Sequence, residues 1–332
     1  WQGTVPFEAL PSVLNPPEGW IVTANQAVIG PQYPYFLTDD WSYGARSQRI
    51  VDLIAEATAS GQKMTVEQMR GIQMDSFNEL ASFLAPKLAA LPTTDDTAAA
   101  LALLRDWDFT QPPDSAAAAF FNAVWRQMVT RMFDAAADTD LITAGGGDRS
   151  WQVIYDIWPN PDDFWWDDRT VPGVQSRDQT LQASIVGAVA ELSDLQGSDP
   201  SGWSWGRLHT LELTNQTLGT SGIGPIEWLF NRGPLELGGG ESIVDATGWT
   251  PANGYVVDWV PSMRQVVDLA NFDNSTWVNL TGASGHAFSA HYVDQADSWR
   301  TGAQYPWASS RSAVQEAGVD VLTLVPAPPP EP

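Results

Sequence analysis

Asn25 closes the run Asn15-Pro16-Pro17-Glu18-Gly19-Trp20-Ile21-Val22-Thr23-Ala24-Asn25, and Arg46 follows in the next segment. A side-chain amide at the end of a Gly-bounded apolar stretch can donate to the negative oxygen of a tetrahedral intermediate, if something holds its carbonyl end. A planar, always charged guanidinium suits that holding role better than the point charge of Lys. Each residue also has a plainer reading. Asn25 can satisfy a strand-end turn, and Arg46 can start a helix in an ion pair with Asp39 or Asp40. Asp268, in Val266-Val267-Asp268-Leu269, is an acid inside a β-type run. If buried there it must pair, with Arg264 or with backbone N–H groups. A nucleophile with its base is not evident in the chain, so these residues read as half of a hydrolytic site.

Composition narrows the partners. The 332 residues carry 40 acidic against 16 basic side chains, a net charge of −24, and lysine occurs only as Lys63 and Lys87. A field of that sign repels phosphate backbones and anionic lipid, so nucleic acid and membrane surfaces are excluded as natural partners. Acidic excess with so little Lys is the pattern of a protein kept soluble in strong salt, or of an organism that favours Asp and Arg. The absence of Cys removes thiol catalysis, disulfides and thiolate zinc sites from this chain. No apolar run is long enough to span a bilayer. A chain opening on Trp1 rather than Met reads as a processed or trimmed piece.

The elements that must position Asn25 and Arg46 follow from periodicity. Residues 1 to 46 read as loop, a short strand at Gly19 to Thr23, and loop. Ile50, Leu53, Ile54 and Ala57 then recur at helical spacing. Thr65-Val66-Glu67-Gln68 fits a capping box that opens a second helix, with a stripe from Met69 through Leu84 that should stop near Pro86. Further helices are expected at about 95–106, 115–136 and 177–194, with 145–172 as loop. From 205 onward the pattern is β: 208–213, 243–246, 255–260, 265–269, 277–280 and 319–325. Strand, helical excursion, strands predicts one discontinuous α+β domain. Its sheet would be built from 1–46 and 203–326 around an excursion at 47–202, and the tail 327–332 is expected to fray.

The residues also carry a resemblance. Trp1-Gln2-Gly3, Leu10-Pro11, Asn15-Pro16, Gly19, Ala24-Asn25, Tyr33-Pro34, Trp41, Arg46 and Arg49-Ile50 occur in the order and spacing of the penicillin acylase (penicillin amidase) family of N-terminal-nucleophile hydrolases. Gly238-Gly239-Gly240, Arg264 to Asp268, Gly282-x-Ser284-Gly285-His286, Ser289-x-His291-Tyr292-x-Asp294-Gln295, Trp299, Gly302 and Pro306 resemble that family's closing segment. The stretch 140–200 matches poorly. The resemblance implies part of an αββα sandwich, from the C-terminal part of the larger chain of a self-cleaving precursor. It further implies hydrolysis of an N-acyl amide by a Ser at the start of the larger chain, whose α-amino group is the base. That Ser and the smaller chain would lie outside this sequence. By the same resemblance Asn25 is the oxyanion-hole amide and Arg46 its brace, while Asp268 matches an acid that orients a partner in some relatives. Gln26 stands where many relatives have a second Asn. The substrate is left open among β-lactam side-chain amides, N-acyl homoserine lactones and acylated peptides. Export to the periplasm or outside the cell is the family's habit. Structural calcium is implied, bound mainly by the part outside this chain, and no organic cofactor.

Other features weigh less. His286 and His291 lack a helix to place them on one face, so loop hydrogen bonds are expected of them rather than metal ligation, and His209 is expected in a core or on a sheet face. The pairs Asp39-Asp40, Asp162-Asp163 and Asp167-Asp168 are candidate calcium oxygens, with solvated surface as their default. Of the 17 Trp, most should be core, with Trp165-Trp166 as a lid or an interface. Gly145-Gly146-Gly147 and Gly238-Gly239-Gly240 lack the context of a phosphate loop. Two non-catalytic rivals remain at this stage: a relative that has lost its nucleophile and binds acylated ligands, and an aromatic-rich carbohydrate-binding module.

Overall fold

The computed structural model describes residues 3–134 and 144–326. The expected fray at 327–332 lies outside the described residues. The chain divides into two units, one formed by the residues up to Met64 with Gly71–Pro261, the other by Thr65–Arg70 with the residues from Ser262 onward.

The first unit is built on helices. These are α1 (Ala45–Thr58), the last turn of α2 (Val66–Gln73), α3 (Glu79–Ala89), α4 (Ala98–Ala102), α5 (Ala116–Val129), α6 (Asp148–Ile157) and α7 (Arg177–Gln196). Short pieces follow: α8 (Trp205–Leu208), strand β1 (Thr210–Leu213), α9 (Gly224–Phe230), β2 (Arg232–Glu236), β3 (Gly248–Trp249) and β4 (Val257–Trp259). Both strand pairs, β1 with β2 and β3 with β4, are antiparallel.

α5 is the centre of this unit. From Ala117 to Val129 nearly every side chain is buried, because the sequence is apolar on all faces rather than on one stripe. Ser115 caps it by accepting from the Ala118 N–H. α7 lies against it through Leu181, Ile185, Ala188 and Leu192, spaced at three and four residues. Gly187 permits the close approach, since a Cβ there would stand 2.6 Å from the Gln127 amide oxygen of α5. Arg126 and Gln127 then bind the two oxygens of Glu191 across the interface, at 2.8 and 2.9 Å.

A buried polar knot ties the Gly-rich loop after β2 to this core. Gln111 is wholly buried; its amide donates to the Gly239 carbonyl at 2.8 Å, and its oxygen accepts from Asn78 and Asn122 at 3.1 and 2.8 Å. Every polar atom of that amide is thus engaged, which is what makes its burial tolerable. Beside it His209 stacks on Trp205 at 4.4 Å and bonds the Tyr255 carbonyl and the Thr247 hydroxyl. Burial pushes its imidazole down to about 4, so it is neutral.

The second unit carries an antiparallel sheet of β5 (Met263–Val266), β6 (Thr276–Asn279) and β7 (Tyr305–Pro306), with α10 (Ala296–Thr301) and α11 (Arg311–Ala317). Arg264 is buried on β5 and lies 4.1 Å over the Trp299 ring while donating to the Trp299 carbonyl. Thr65 and Gln68 form the expected capping box, with Gln68 N–H donating to the Thr65 hydroxyl at 3.2 Å and Thr65 N–H to the Gln68 amide oxygen at 2.9 Å.

The structure is mixed α+β, and several boundaries differ from those read in the sequence. The stripe from Met69 to Leu84 is two helices, because Asn78 leaves helical geometry and caps α3 through the Ala81 N–H. α3 runs past Pro86 to Ala89, since Leu80, Leu84, Ala85 and Leu88 are all buried and outweigh the lost backbone bond. The helix expected at 95–106 shortens to α4. Within 145–172, α6 forms with Trp151, Ile154 and Ile157 inward. Residues 19–23 are not a strand; the pairing there is a single parallel bridge from Gln26 to Ser42. Residues 243–245 bend and Ala246 makes only an isolated parallel bridge to Gly240, and 319–325 are exposed and without strand pairing.

Candidate active site

Asn25 has a left-handed backbone, φ 68°, a region that Asn enters at low cost. Gln26 holds the approach to it, accepting from the Ala24 N–H at 2.7 Å and donating to the Val22 carbonyl at 2.9 Å. The Asn25 carbonyl accepts from the Ser42 N–H at 2.9 Å, which fixes the backbone on its far side. The side chain is held by Arg46, near the start of α1. One guanidinium nitrogen donates to the Asn25 Oδ1 at 2.9 Å and to the Ala24 carbonyl at 3.1 Å. A guanidinium can only donate, so the atom facing it must be the amide oxygen, and the NH2 group points away. No described residue accepts from that NH2.

Asn25 and Arg46 open on a cleft of about 780 Å³. Its aromatic wall is Trp41, Phe133, Trp165 and Trp259, and its polar wall includes Asp148, Glu241 and Ser242. Of the Trp165-Trp166 pair, Trp165 lines the cleft, whereas Trp166 is core, its indole donating to the Asn160 carbonyl at 3.0 Å. The floor is the turn Gly145-Gly146-Gly147. The Gly146 carbonyl accepts from the indoles of Trp125 and Trp151 at 2.8 and 3.0 Å. Its φ is 71° and a Cβ would lie 2.6 Å from Pro251, so only Gly fits.

Glu241 is the carboxyl of this cleft most shifted by its surroundings. Burial pushes its carboxyl up to about 7, opposed by the Trp259 indole that donates to it at 3.1 Å, raised further by Asp258, and lowered by the Arg46 charge. Its charge therefore changes near neutral pH. Asp148 heads α6 and is spent on the segment beside Asn25, accepting from the Ser42 hydroxyl at 2.5 Å and from the Tyr43 N–H at 2.9 Å. Neither Asp148 nor Glu241 was evident as a site residue in the sequence. The pattern that points to Asp148 is a Gly-rich turn followed by Asp and then apolar residues at helical spacing, a helix start.

The remaining candidates sit as follows. Asp268 belongs to the second unit, just beyond β5. Its carboxylate accepts from the Ala270 and Asn271 N–H groups at 2.8 and 3.2 Å and from the Asn274 amide at 3.1 Å. Asn274 first, then those backbone groups, hold it below the ordinary carboxylate value. Arg264 is turned to Trp299 instead. His286 accepts from the Phe288 N–H and His291 bonds Asp294 at 2.8 Å. Asp40 pairs with Arg149 at 3.0 Å, Asp163 accepts from the Trp165 N–H, and buried Asp168 binds Arg131 at 2.7 Å. Among the described residues no cluster of His, Asp and Glu is arranged to hold a metal ion, and no helix is long and apolar enough to cross a membrane.

Comparison with known proteins shows the family. A penicillin amidase family profile matches residues 1–316, including 140–200, where the motifs match poorly. A penicillin acylase 2 proenzyme from Pseudomonas sp. strain SE83 is 28% identical, over 98% of this chain and 41% of that protein. An acyl-homoserine lactone acylase, QuiP, from Pseudomonas aeruginosa is also 28% identical, over 98% of this chain and 42% of that one. Among solved structures, a thermostable penicillin G acylase from Alcaligenes faecalis superposes with a TM-score of 0.60 at 17% identity, covering 99% of this chain and 61% of that one. The chain thus spans less than half the length of either sequence relative.

Proposed function

Because the chain belongs to the penicillin amidase family, we propose that it supplies the oxyanion-stabilising half of an N-acyl amide hydrolase. Asn25 is the donor and Arg46 its positioning residue. The observation that carries this reading is the bond from Arg46 to Asn25 Oδ1, which leaves the amide NH2 turned away from its brace at a cleft wall. Such a prearranged donor needs no reorganisation as charge builds on the substrate oxygen, and that is the condition under which it lowers a barrier.

The attacking group comes from elsewhere in the assembly. An N-terminal Ser with its own α-amino base suits the role, since that amine titrates close to neutrality. The partners in this reading are the rest of the larger chain and the smaller chain of one precursor, with export as the compartment and structural calcium held mainly by residues outside this chain. Asp268 enters as the residue that shapes the 268–275 turn. The named relatives include acylases for penicillins and for acyl-homoserine lactones; for this chain the class proposed is the linear N-acyl amide. Carboxylates at Asp148 and Glu241 and the aromatic wall favour a neutral acyl group.

The test is hydrolysis by the complete processed protein of a panel of N-acyl p-nitroanilides, some with aromatic and some with long alkyl acyl groups. Release of nitroaniline with stoichiometric free acid is expected for at least one acyl class. Binding of acyl amides without turnover would support a non-catalytic binder, and quenching of tryptophan by sugars would support a carbohydrate module.

A further inference from the structure

We infer that Asp148 is a positioning residue for the Asn25 donor, acting through the segment Ser42-Tyr43. The inference rests on the assignment of Asn25 made above. The Asn25 side chain has its brace in Arg46, but the brace fixes the amide only if the backbone beneath it is fixed as well. That backbone is in a left-handed conformation and carries no regular secondary structure. Its tie on the side away from Ala24 is the Ser42 N–H to Asn25 carbonyl bond of 2.9 Å. Ser42 in turn lies in an isolated bridge, not in a sheet. What holds Ser42 is Asp148: one carboxylate oxygen, Oδ2, accepts both the Ser42 hydroxyl and the Tyr43 N–H, at 2.5 and 2.9 Å.

Asp148 is itself well anchored. It is the first residue of α6, where an acidic side chain is favoured by the helix dipole. Its own N–H donates to the Ser242 hydroxyl at 2.9 Å. Ser242 stands beside Glu241 on the loop that Gln111 ties to α5 through Gly239. The path from core to donor is therefore Gln111, the 239–242 loop, Asp148, Ser42 and Asn25, with a hydrogen bond or a short covalent link at each step. Two anchors, Arg46 from α1 and Asp148 from α6, reach Asn25 from different helices. A donor displaced by an ångström loses much of its effect, so a residue that sets its backbone carries weight on turnover without touching substrate.

The test uses the complete processed protein and an N-acyl p-nitroanilide that it hydrolyses. Asp148→Ala is expected to lower kcat by roughly tenfold to a hundredfold with little change in KM. Asp148→Asn, which retains an acceptor oxygen at the same place, should recover most of that loss. In an Asn25→Ala background the Asp148→Ala change should add almost nothing, because its route to the reaction has been removed. A merely structural Asp148 would instead cost the same factor in both backgrounds, and that result overturns the inference while leaving Asn25 in place. So would an unchanged kcat in Asp148→Ala beside a large loss in Asn25→Ala. If Asn25→Ala itself turns over normally, the assignment of Asn25 fails and this inference with it. Should Asp148→Ala not fold, Ser42→Ala removes one of the two bonds; a several-fold fall in kcat, absent in the Asn25→Ala background, is expected, and no fall would sink the idea.

Discussion

Asn25→Ala in the complete processed protein is expected to lower kcat by roughly 10²–10³-fold, equivalent to about 2.7–4 kcal/mol, with KM nearly unchanged. The sign follows from when the bond matters. In the proposed role the amide NH2 would meet a neutral carbonyl oxygen in the bound substrate and a nearly anionic one in the transition state, so its removal would weaken the second far more than the first. Stability should change little, because the Asn25 side chain is exposed and its one side-chain bond is to Arg46. Steady-state kinetics with an N-acyl p-nitroanilide, together with a melting curve and size-exclusion profile, separate the two effects. A loss of kcat that tracks a loss of folded protein would assign Asn25 to structure.

The second large effect belongs to Arg46. Its guanidinium does two things at once: it clamps the Ala24 carbonyl and the Asn25 Oδ1, and it places a positive charge near Glu241. Arg46→Ala removes both. Loss of a hydrogen bond from a charged donor is worth about 1.5–3 kcal/mol, which converts to a fall of roughly tenfold to a hundredfold in kcat. The Glu241 carboxyl should then titrate at higher pH, since the cation that favours its ionised form has gone. Arg46→Lys tells the two contributions apart. It keeps the charge, so the Glu241 titration should stay near its original position, but a flexible ammonium does not fix the plane of the amide as a fork does, so kcat should remain depressed. A Lys variant with full activity would mean that charge, and not orientation, is what Arg46 contributes.

How far these features were legible in the sequence varies with their physical origin. α1, the capping box of α2, α5 and α7 were readable because each rests on local periodicity and on a cap within one turn, as at Thr65 and Gln68. Asn25 and Arg46 were readable as a pair through the resemblance of residues 1–50 to the family, since each alone had a plainer local reading, and the structure joins them at 2.9 Å. Pro86 misled, since five buried neighbours on α3 override a local preference. Residues 19–23 misled in the other direction: the β-type pattern is present, but among the described residues no strand pairs with it, and a strand is defined by its partner. Asp148 and Glu241 were invisible for a related reason. Asp148 meets Ser42 across a sequence separation of 106 residues, and Glu241 owes its raised pKa to burial that only the folded loop creates. A local pattern marks Asp148 as a helix start, but the partners these two residues meet leave none.

In the proposed role Asn25 donates to the oxygen on which negative charge develops. The most direct measurement is a crystal structure of the complete processed protein carrying a tetrahedral phosphonate or boronate adduct on its nucleophile. The Asn25 Nδ2 is expected at about 2.7–3.1 Å from the adduct's anionic oxygen, with Arg46 still on Oδ1. An adduct whose oxygen is held by other donors, with the Asn25 amide beyond hydrogen-bond reach, would contradict it.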